Sequence, residues 1–373
     1  MQLSLDKSLI HKELQKANRV VPVRSTLPIL TCVLFEVTSS KLKLVASDIE
    51  LTLVSEIDVS NSEDGSVAIP SKLLNDIISV LPSGELTISS DDKNMVKIDC
   101  SSGSYTIAGR PPDDFPVTPV LDGGKEINIE NSLLHRIIEK TAFAVSSDML
   151  RPALTGVLFE IGKDKITSVA TDGHRLAKIT LSNLNGSGIQ PGIIIPKKFL
   201  NLIVNALVNS EENEFIVSDN HVMLTIGSTK FYTRIIDEKY PDYDSVIPKE
   251  NDKELTVRAE DLLSSVVRVS IFANKTTQQI KLTISGNSLK ISSADPESGG
   301  SGSEEITCKY SGDDIEIGFN SEYLKDILRQ IDTDDLIISL KAPISAGLVF
   351  PSKQAEKEDY TILIMPIRLT EEA

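Results

Sequence analysis

The chain has 373 residues, 40% of them hydrophobic and 25% charged, a composition typical of globular proteins with two or three domains. It contains no apolar run of about 18 residues and no basic N-terminus followed by an apolar core, so we expect no transmembrane helix, no secretion signal and no membrane partner. The formal net charge of −16, from 38 basic and 54 acidic residues, argues against nucleic acid unless the basic residues share one face.

Cysteine usage indicates a reducing compartment. Cys32, Cys100 and Cys308 lie far apart and match no metal-ligand spacing, so we expect a cytoplasmic protein with no metal site and no cofactor. Cys32 and Cys100 occur in strand-like apolar runs, which predicts that both are small core residues.

A long internal repeat organises the chain. Ser8–Lys16 recurs as Ser132–Lys140, and Val33–Val37 recurs as Val157–Ile161, both with a shift of 124 residues (132 − 8 and 157 − 33). Further matches are Ile69–Asn75 with Ile195–Asn201, Phe115-Pro116 with Tyr240-Pro241, and a fainter third copy at Val257–Leu263, Lys281–Ile284 and Phe319–Ile327. Chance similarity would not repeat one shift, so we predict three domains: 1–124, 125–250 and 251–373.

Each repeat has the pattern helix, strands, helix, strands. In the first, Leu5 with Leu9 and Ile10 with Leu14 form an apolar stripe at four-residue spacing, which predicts a helix. The alternating runs Lys41–Ala46 and Glu85–Ser89 predict strands, and Lys72–Leu81 predicts a second helix that ends at Pro82. Parallel βαβ units would need a helix between successive strands. The expected fold class is therefore α+β with three repeated domains, each of antiparallel sheet and two helices.

The stretch Val169–Ala177 is unusual for a plain hairpin. The strand-like runs Lys165–Val169 and Lys178–Leu181 flank a turn at Asp172-Gly173, where glycine tolerates the positive φ of a tight turn. A titratable ring, a fixed cation and an apolar side chain follow it, at His174, Arg175 and Leu176. On this spacing alone the stretch is either a decorated β-turn or part of a binding site.

Basic residues recur on the predicted helices of all three copies. Solvated helix faces would also carry such residues, but the repeated placement favours one basic side with acidic sheets outside it. The set comprises Lys12, Lys16, Arg19 and Lys72 in the first copy, Arg136, Lys140, Lys197 and Lys198 in the second, and Arg258, Arg268, Lys325 and Arg329 in the third.

With these residues in view, the whole chain resembles the bacterial sliding clamp family, the β subunit of DNA polymerase III. The motifs that carry the resemblance are Arg24–Leu30, Ala170–Ala177, Tyr240–Tyr243, Ile317–Asn320 and Met365–Leu369. The resemblance implies a head-to-tail homodimeric ring, with helices lining the hole and sheets forming the rim. It also implies a non-enzymatic processivity factor for DNA replication, which encircles double-stranded DNA without sequence specificity near the nucleoid.

The same resemblance assigns DNA contacts. Arg24 and Arg151 are the best single candidates, and Lys72, Lys197 and Lys198 would add diffuse attraction to phosphates. A ring that slides needs no base readout. The absence of tryptophan and the aromatic content of 5% agree with that expectation.

A peptide-binding cleft between the second and third domains is the other implied site. It would capture short peptides of DNA polymerase III subunits, the clamp loader, other polymerases and repair proteins. The matching residues here are Leu154, Thr171, Gly173, His174, Arg175, Leu176, Pro241, Val246, Asn320, Tyr323, Ile344, Leu363, Met365, Pro366, Ile367 and Arg368. The aliphatic side chains and Met365 would take the apolar side chains of the peptide, and His174, Arg175 and Asn320 its polar atoms.

The dimer interface departs from the family in one respect. Tyr105 and Ile107 are expected to face Ile271 and Phe272 of a second copy. In some members arginines precede the equivalent of Tyr105 and pair with acids across the interface, whereas this chain has Ser102-Gly103-Ser104 opposite Glu304 and Glu305.

Two other function classes remain open on the residues alone. An enzyme could use Asp172 and His174 as an acid–base pair, but the chain has no nucleophile motif, P-loop or metal set. An acidic protein-binding scaffold with no DNA role would share the cleft but lack a basic hole.

Overall fold

The computed structural model describes residues 1–121, 123–182, 189–208, 213–296 and 299–369. Two segments for which the sequence makes a prediction lie wholly or partly outside these ranges. The sequence continues after Leu369 with Thr370–Ala373, a tail that we expect to hang beside the cleft and that lies outside the described residues. The Gly- and Ser-rich run Glu297–Ser303 predicts a mobile loop. Glu297 and Ser298 also lie outside the described residues, whereas 300–303 belongs to a strand. The loop prediction is therefore wrong for that half of the segment.

The chain divides into two compact units. The first comprises Met1–His135 and Lys198–Ile235, and the second comprises Arg136–Lys197 and Ile236–Ala373. The described residues form six α-helices: α1 Lys7–Ala17, α2 Ser71–Val80, α3 Asn131–Thr141, α4 Lys197–Leu207, α5 Ala259–Val269 and α6 Ser321–Leu328. Short 3-10 helices lie at Pro28–Thr31, Ala142–Ala144, Pro152–Thr155, Asp244–Val246 and Ser270–Phe272.

Strands make up most of the rest. The first unit contains β1 Gln2–Asp6, β2 Cys32–Thr38, β3 Lys41–Ser47, β4 Leu51–Asp58, β5 Ser60–Glu63, β6 Gly65–Pro70, β7 Glu85–Ser90, β8 Met95–Cys100, β9 Gly103–Ala108, β10 Lys125–Ile127, β15 Glu214–Val217, β16 His221–Ile226 and β17 Thr229–Arg234. The second contains β11 Gly156–Ile161, β12 Lys165–Thr171, β13 Arg175–Ser182, β14 Ile189–Pro196, β18 Lys253–Arg258, β19 Gln279–Ser285, β20 Ser288–Asp295, β21 Gly300–Thr307, β22 Lys309–Ser311, β23 Ile315–Asn320, β24 Asp335–Leu340, β25 Gly347–Pro351 and β26 Glu358–Ile364.

The first helix starts later than its apolar pattern predicts. The Asp6 carboxylate accepts a hydrogen bond from the Ser8 backbone N–H at 2.8 Å, so Asp6 caps α1. Leu5 lies in β1, and Leu9 is 48% exposed, whereas Ile10 and Leu14 are fully buried. The helix is confirmed, but its four-residue stripe starts at Ile10, because Leu5 alternates with the strand residues that precede the cap.

Every sheet is antiparallel, which confirms the predicted fold class. The first unit holds a five-stranded sheet, β5-β1-β7-β8-β9, and an eight-stranded sheet, β10-β15-β16-β17-β4-β3-β2-β6. The second unit holds a nine-stranded sheet, β14-β11-β12-β13-β26-β25-β24-β18-β22, and a four-stranded sheet, β21-β20-β19-β23.

Both larger sheets join strands from successive repeats. In the first unit β17 pairs with β4, with Tyr232 opposite Thr52. In the second unit β26 pairs with β13, with Leu363 opposite Leu176. The second repeat thus adds strands to one sheet of each unit, and the hydrogen-bonded pairing runs through the repeat boundaries instead of stopping at them.

Equivalent positions of the internal repeat are buried in the hydrophobic core. Phe35 and Phe159, 124 positions apart, are both fully buried. Cys32 is buried as predicted, but Cys100 is half-buried at the end of β8, where its thiol lies 3.2 Å from the Ser102 hydroxyl, so the core prediction is wrong there. No helix in the described part of the chain is long and apolar enough to span a membrane.

Candidate functional site

The turn between β12 and β13 is built by its own side chains. Asp172 Oδ1 accepts hydrogen bonds from the backbone N–H groups of His174 and Arg175, at 2.8 and 3.0 Å. The Thr171 hydroxyl donates to the Arg175 carbonyl at 2.7 Å. Gly173 adopts φ +92°, which confirms that this position needs glycine's freedom in the left-handed region. The turn therefore presents His174 in a fixed position.

Arg175 is bound mainly to groups of its own chain, and its predicted role as a ligand for peptide polar atoms stays a prediction. Its side chain is 9% exposed and donates to Asp172 Oδ2 at 3.2 Å, Asp326 Oδ2 at 2.8 Å and the Phe143 carbonyl at 2.9 Å. Its guanidinium also lies 4.7 Å from the centre of the Tyr323 ring. Since each of its nitrogens already has an acceptor, Arg175 fastens the turn to α6.

The turn meets the C-terminal segment directly. The Met365 N–H donates to the His174 carbonyl at 2.8 Å, and the His174 ring stacks on Tyr323 with ring centres 5.8 Å apart. Burial, followed by the Asp172 charge, raises the pKa of Tyr323. Residues 171–176 and 365–368, nearly 200 positions apart in sequence, thus form one surface because β13 and β26 are neighbouring strands.

Two further predicted residues support that surface. The Asn320 side chain caps α6 by accepting from the Glu322 and Tyr323 N–H groups at 2.9 and 3.2 Å, so its oxygen is already used. The Ile367 N–H donates to the Gly318 carbonyl at 2.8 Å. A Cβ at Gly318 would lie 2.7 Å from the Ile367 carbonyl oxygen, so the close approach of the C-terminal segment requires glycine there.

An apolar cluster lies beneath this surface. Its buried members are Leu158, Val169, Leu176, Ile194, Leu348 and Leu363. Tyr240, Tyr243 and Ile247 pack over it from the segment that links the second and third repeats, and the Tyr240 hydroxyl donates to the Val169 carbonyl at 3.3 Å. The predicted cleft residues divide accordingly into a buried floor and an exposed rim.

The floor and rim differ sharply in exposure. Leu154, Leu176 and Leu363 are at most 7% exposed, whereas Val246, Ile344 and Met365 are 57%, 68% and 41% exposed. Of the remaining predicted residues, Gly173, His174, Pro241 and Arg368 are exposed, and Thr171, Asn320, Tyr323, Pro366 and Ile367 are partly buried. An incoming apolar side chain would therefore contact mainly the rim.

The residues predicted to contact DNA differ in exposure and in whether they already form an ion pair. Arg24 and Lys72 are exposed. Arg151 Nε lies 2.9 Å from Asp148 Oδ2, and Lys198 forms an ion pair with Asp48. Lys197 is partly buried, and burial followed by the nearby charge of Arg175 lowers its pKa.

Two other predicted basic residues are tied into the second unit. Arg136 pairs with Glu358 and Asp332, and Lys140, which is 3% exposed, lies 3.3 Å from Asp332 and donates to the Gln330 carbonyl. The prediction that these helix residues belong to a basic face is wrong, because their charges are compensated inside the protein.

The predicted dimer residues occupy two sheet edges. Tyr105 is 38% exposed on the edge strand β9, but Ile107 is 2% exposed and packs in the core, so Ile107 offers no side chain to a partner and that prediction needs correction. Ile271 and Phe272 are 76% and 40% exposed beside the edge strand β21. A Cβ at Gly302 of β21 would lie 2.5 Å from the Phe272 ring, so this glycine seats Phe272 against the edge.

Comparison with known proteins identifies the family that has this arrangement. Family models of the DNA polymerase III beta subunit match in succession: the N-terminal domain at residues 1–119, the central domain at 128–242 and the C-terminal domain at 244–368. A beta sliding clamp of Pseudomonas putida is 31% identical over 371 residues, covering 99% of this chain and 100% of that protein. The chain belongs to the DNA polymerase III beta subunit family. Members of this family, the beta sliding clamps, are non-enzymatic processivity factors of DNA replication.

Solved structures of beta subunits have the same fold. The crystal structure of the DNA polymerase III subunit beta from Pseudomonas aeruginosa matches with a TM-score of 0.92 at 30% identity, over 99% of this chain and 100% of that one. A sliding clamp from Bartonella birtlesii bound to griselimycin matches with a TM-score of 0.92 at 31% identity, over the same shares of the two chains.

Sequence reasoning missed several residues that shape the candidate cleft. Asp326 and Phe143 position Arg175, and Tyr240, Tyr243 and Ile247 cover the apolar floor. The two tyrosines lay within a recognised motif, so their role could have been inferred. Asp326 and Phe143 carried no signal, because their importance comes from long-range contacts to Arg175. Among the described residues no group of three or more His, Cys, Asp or Glu side chains could hold a metal ion.

Proposed function

We propose that this chain forms a head-to-tail homodimeric ring that encircles double-stranded DNA and tethers partner proteins through the surface at residues 171–176 and 365–368. The partners are DNA polymerase III subunits, the clamp loader, other polymerases and repair proteins, each contributing a short peptide. The ring acts in the cytoplasm at the nucleoid. The observation that carries the proposal is the pairing of β13 with β26, which joins a fixed turn and the C-terminal segment over one apolar cluster.

The three-repeat division at 1–124, 125–250 and 251–373 belongs to the same proposal. A shared shift of 124 residues and the equivalent pairs β17–β4 and β26–β13 support it. In a ring, each repeat would supply two helices and comparable strands.

The peptide would bind by burying large apolar side chains against the exposed rim. Val246, Ile344 and Met365 offer unburied apolar area, and the flexible Met365 can adapt its shape to a ligand. Burial of one large apolar side chain contributes about 1.5–3 kcal/mol. Ordering a flexible peptide offsets much of this, so a dissociation constant of roughly micromolar size is expected.

Arg24 and Lys72 are the proposed DNA contacts in the first unit, and Arg151, Lys197 and Lys198 complete the set. Arg24 and Lys72 are exposed and can approach phosphates without breaking an ion pair. Arg151 and Lys198 would exchange their partners Asp148 and Asp48 for phosphate, so they should contribute less.

Peptide binding can be tested at the rim with exposed positions. A labelled peptide with Gln followed by Leu and Phe should bind the wild-type chain in fluorescence anisotropy. Met365→Lys and Val246→Lys should each weaken binding at least about tenfold, because each replaces contact area with a charge that must be desolvated. Val117→Lys, at a position 90% exposed in the other unit, is the matched control.

Equal affinity of wild type and both rim variants would remove the cleft from the proposal. Leu176 is a poor choice for such a test because it is 2% exposed. A lysine there would bury an unpaired charge and report on folding instead of binding.

A further inference from the structure

The edge strand β21 carries an acidic residue on its helix-facing side. Exposure alternates along the strand: Gly302, Glu304 and Ile306 are partly buried, and Ser303 and Glu305 are exposed. If a second chain extended the sheet at this edge, Glu304 would lie on the covered side of the enlarged sheet. A carboxylate there is expensive to desolvate unless a cation pairs with it.

That cation comes from the same chain. Arg268 on α5 donates from Nε and Nη2 to the two Glu304 oxygens, at 2.7 and 2.6 Å. The bidentate geometry is the strong form of an arginine–carboxylate pair. These hydrogen bonds, followed by one from Ser265, hold the pKa of Glu304 at about 2. The carboxylate is therefore charged and compensated before any partner arrives.

The opposite edge strand, β9, carries no charged residue. The strand β9 reads Gly103-Ser104-Tyr105-Thr106-Ile107-Ala108. On the neighbouring strand β8, the cation Lys97 already pairs with Asp99 at 2.9 Å. Neither edge strand has the lysines or prolines that usually block strand pairing. The strand β9 also has no cationic side chain that could bind Glu304 of a partner subunit.

We propose that the seam between β21 of one subunit and β9 of its partner closes without an ion pair across it, and that Arg268 is the positioning residue that neutralises Glu304 from within its own chain. This rests on the proposed ring and specifies its interface. Glu305 lies on the outer face, where it accepts from the Ser288 hydroxyl, and stays in water. Contact across the seam then comes from backbone pairing and from Tyr105 against Phe272.

The intrachain pair matters when the seam closes. In the open chain the Arg268 and Glu304 side chains are 58% and 30% exposed, and exposed ion pairs contribute little to stability. Closing the seam excludes water, and an unpaired carboxylate would then oppose association. Because no charges pair between subunits, dimer affinity should change little with ionic strength.

The test is the dimer dissociation constant of the full chain, measured by sedimentation for wild type, Arg268→Met, Glu304→Gln and the double variant. Arg268→Met should raise the constant at least about tenfold, because it leaves Glu304 unpaired at the seam. The dimer dissociation constant of the double variant should be close to the wild-type value, since the variant lacks both charges. Arg329→Met is the matched control, because Arg329 pairs within α6 with Asp326 at 3.2 Å.

Salt dependence supplies a second measurement that needs no variant. The dimer dissociation constant of the wild-type chain should change by less than about threefold between roughly 0.05 and 0.5 M salt. A steep rise with salt, or an Arg268→Met dimer as tight as wild type, would overturn the intrachain pairing while leaving the ring in place. A wild-type chain that stays monomeric at micromolar concentration would instead remove the ring itself.

Discussion

At the residue scale, the turn that shapes the cleft has a counterpart in the first repeat. Asp48 Oδ1 accepts from the N–H groups of Glu50 and Leu51 at 3.0 and 2.7 Å, as Asp172 does for its own turn. The left-handed position is Gly173 in the cleft turn, but Ile49, at φ +82°, in the first-repeat turn. A β-branched residue in this region is strained, so the repeat keeps the turn geometry at a cost in stability.

Relieving this strain should stabilise the protein. Ile49 is 55% exposed, so little packing would be lost on replacement. Ile49→Asn should raise the free energy of unfolding by about 1 kcal/mol, because asparagine tolerates the left-handed region far better. Urea unfolding followed by circular dichroism measures the change. Ile49→Val keeps the β-branch and should give no gain; a stabilisation of the same size would refute the strain explanation.

At the element scale, α3 is fastened to the nine-stranded sheet by charges. Arg136 on α3 binds Glu358 of β26 through two nitrogens, and its Nη1 lies 2.9 Å from Asp332. The Glu358 side chain is 4% exposed. The hydrogen bonds that Arg136 donates to Glu358 raise the pKa of Arg136, which therefore stays charged. These residues hold the helix in place and are not free to attract DNA.

Removing this arginine should therefore affect folding more than DNA. Arg136→Met leaves a buried carboxylate without its cation, which should lower the free energy of unfolding by about 3 kcal/mol. Denaturant unfolding gives the stability, and retention on circular DNA should be unchanged below the unfolding transition. Lys12→Met, at an exposed position on α1, should leave stability as it is. If the arginine variant kept wild-type stability but lost DNA retention, Arg136 would be a DNA contact after all.

At the scale of the whole molecule, the charge balance disfavours tight attraction to DNA. The net charge is −16, and Arg136, Arg268, Lys325 and Arg329 each form an ion pair within the chain. These ion pairs weaken the attraction of the four cations for phosphates, whose binding also weakens as salt rises. A topological link would hold DNA without strong contacts.

The ring should therefore stay on DNA for geometric reasons. Once loaded on nicked circular DNA, it should co-elute with the circle in gel filtration and be released after a single cut makes the DNA linear. Direct binding to linear duplex should be weak and should vanish at roughly 0.2 M salt. Equal retention on circular and linear DNA would contradict encirclement.

Much of the molecule was predictable from local sequence. The repeat shift, the helix α2 and the alternating strands β3, β7 and β12 all depend on residues close together in the chain, where periodicity and turn chemistry act. The glycine at 173 likewise follows from one turn's need for positive φ. Motif resemblance added the family and the proposed members of the cleft.

Tertiary structure alone decided how these pieces are used. Strands pair across the repeats, β17 with β4 and β26 with β13, because edge strands satisfy their backbone groups with whichever complementary edge the fold brings alongside. Tertiary packing also buries Ile107 and ties Arg175 to Asp326. The sequence shows that a side chain is apolar or charged. For Arg175, the internal acceptor Asp326 lies 151 positions away, where local sequence gives no signal.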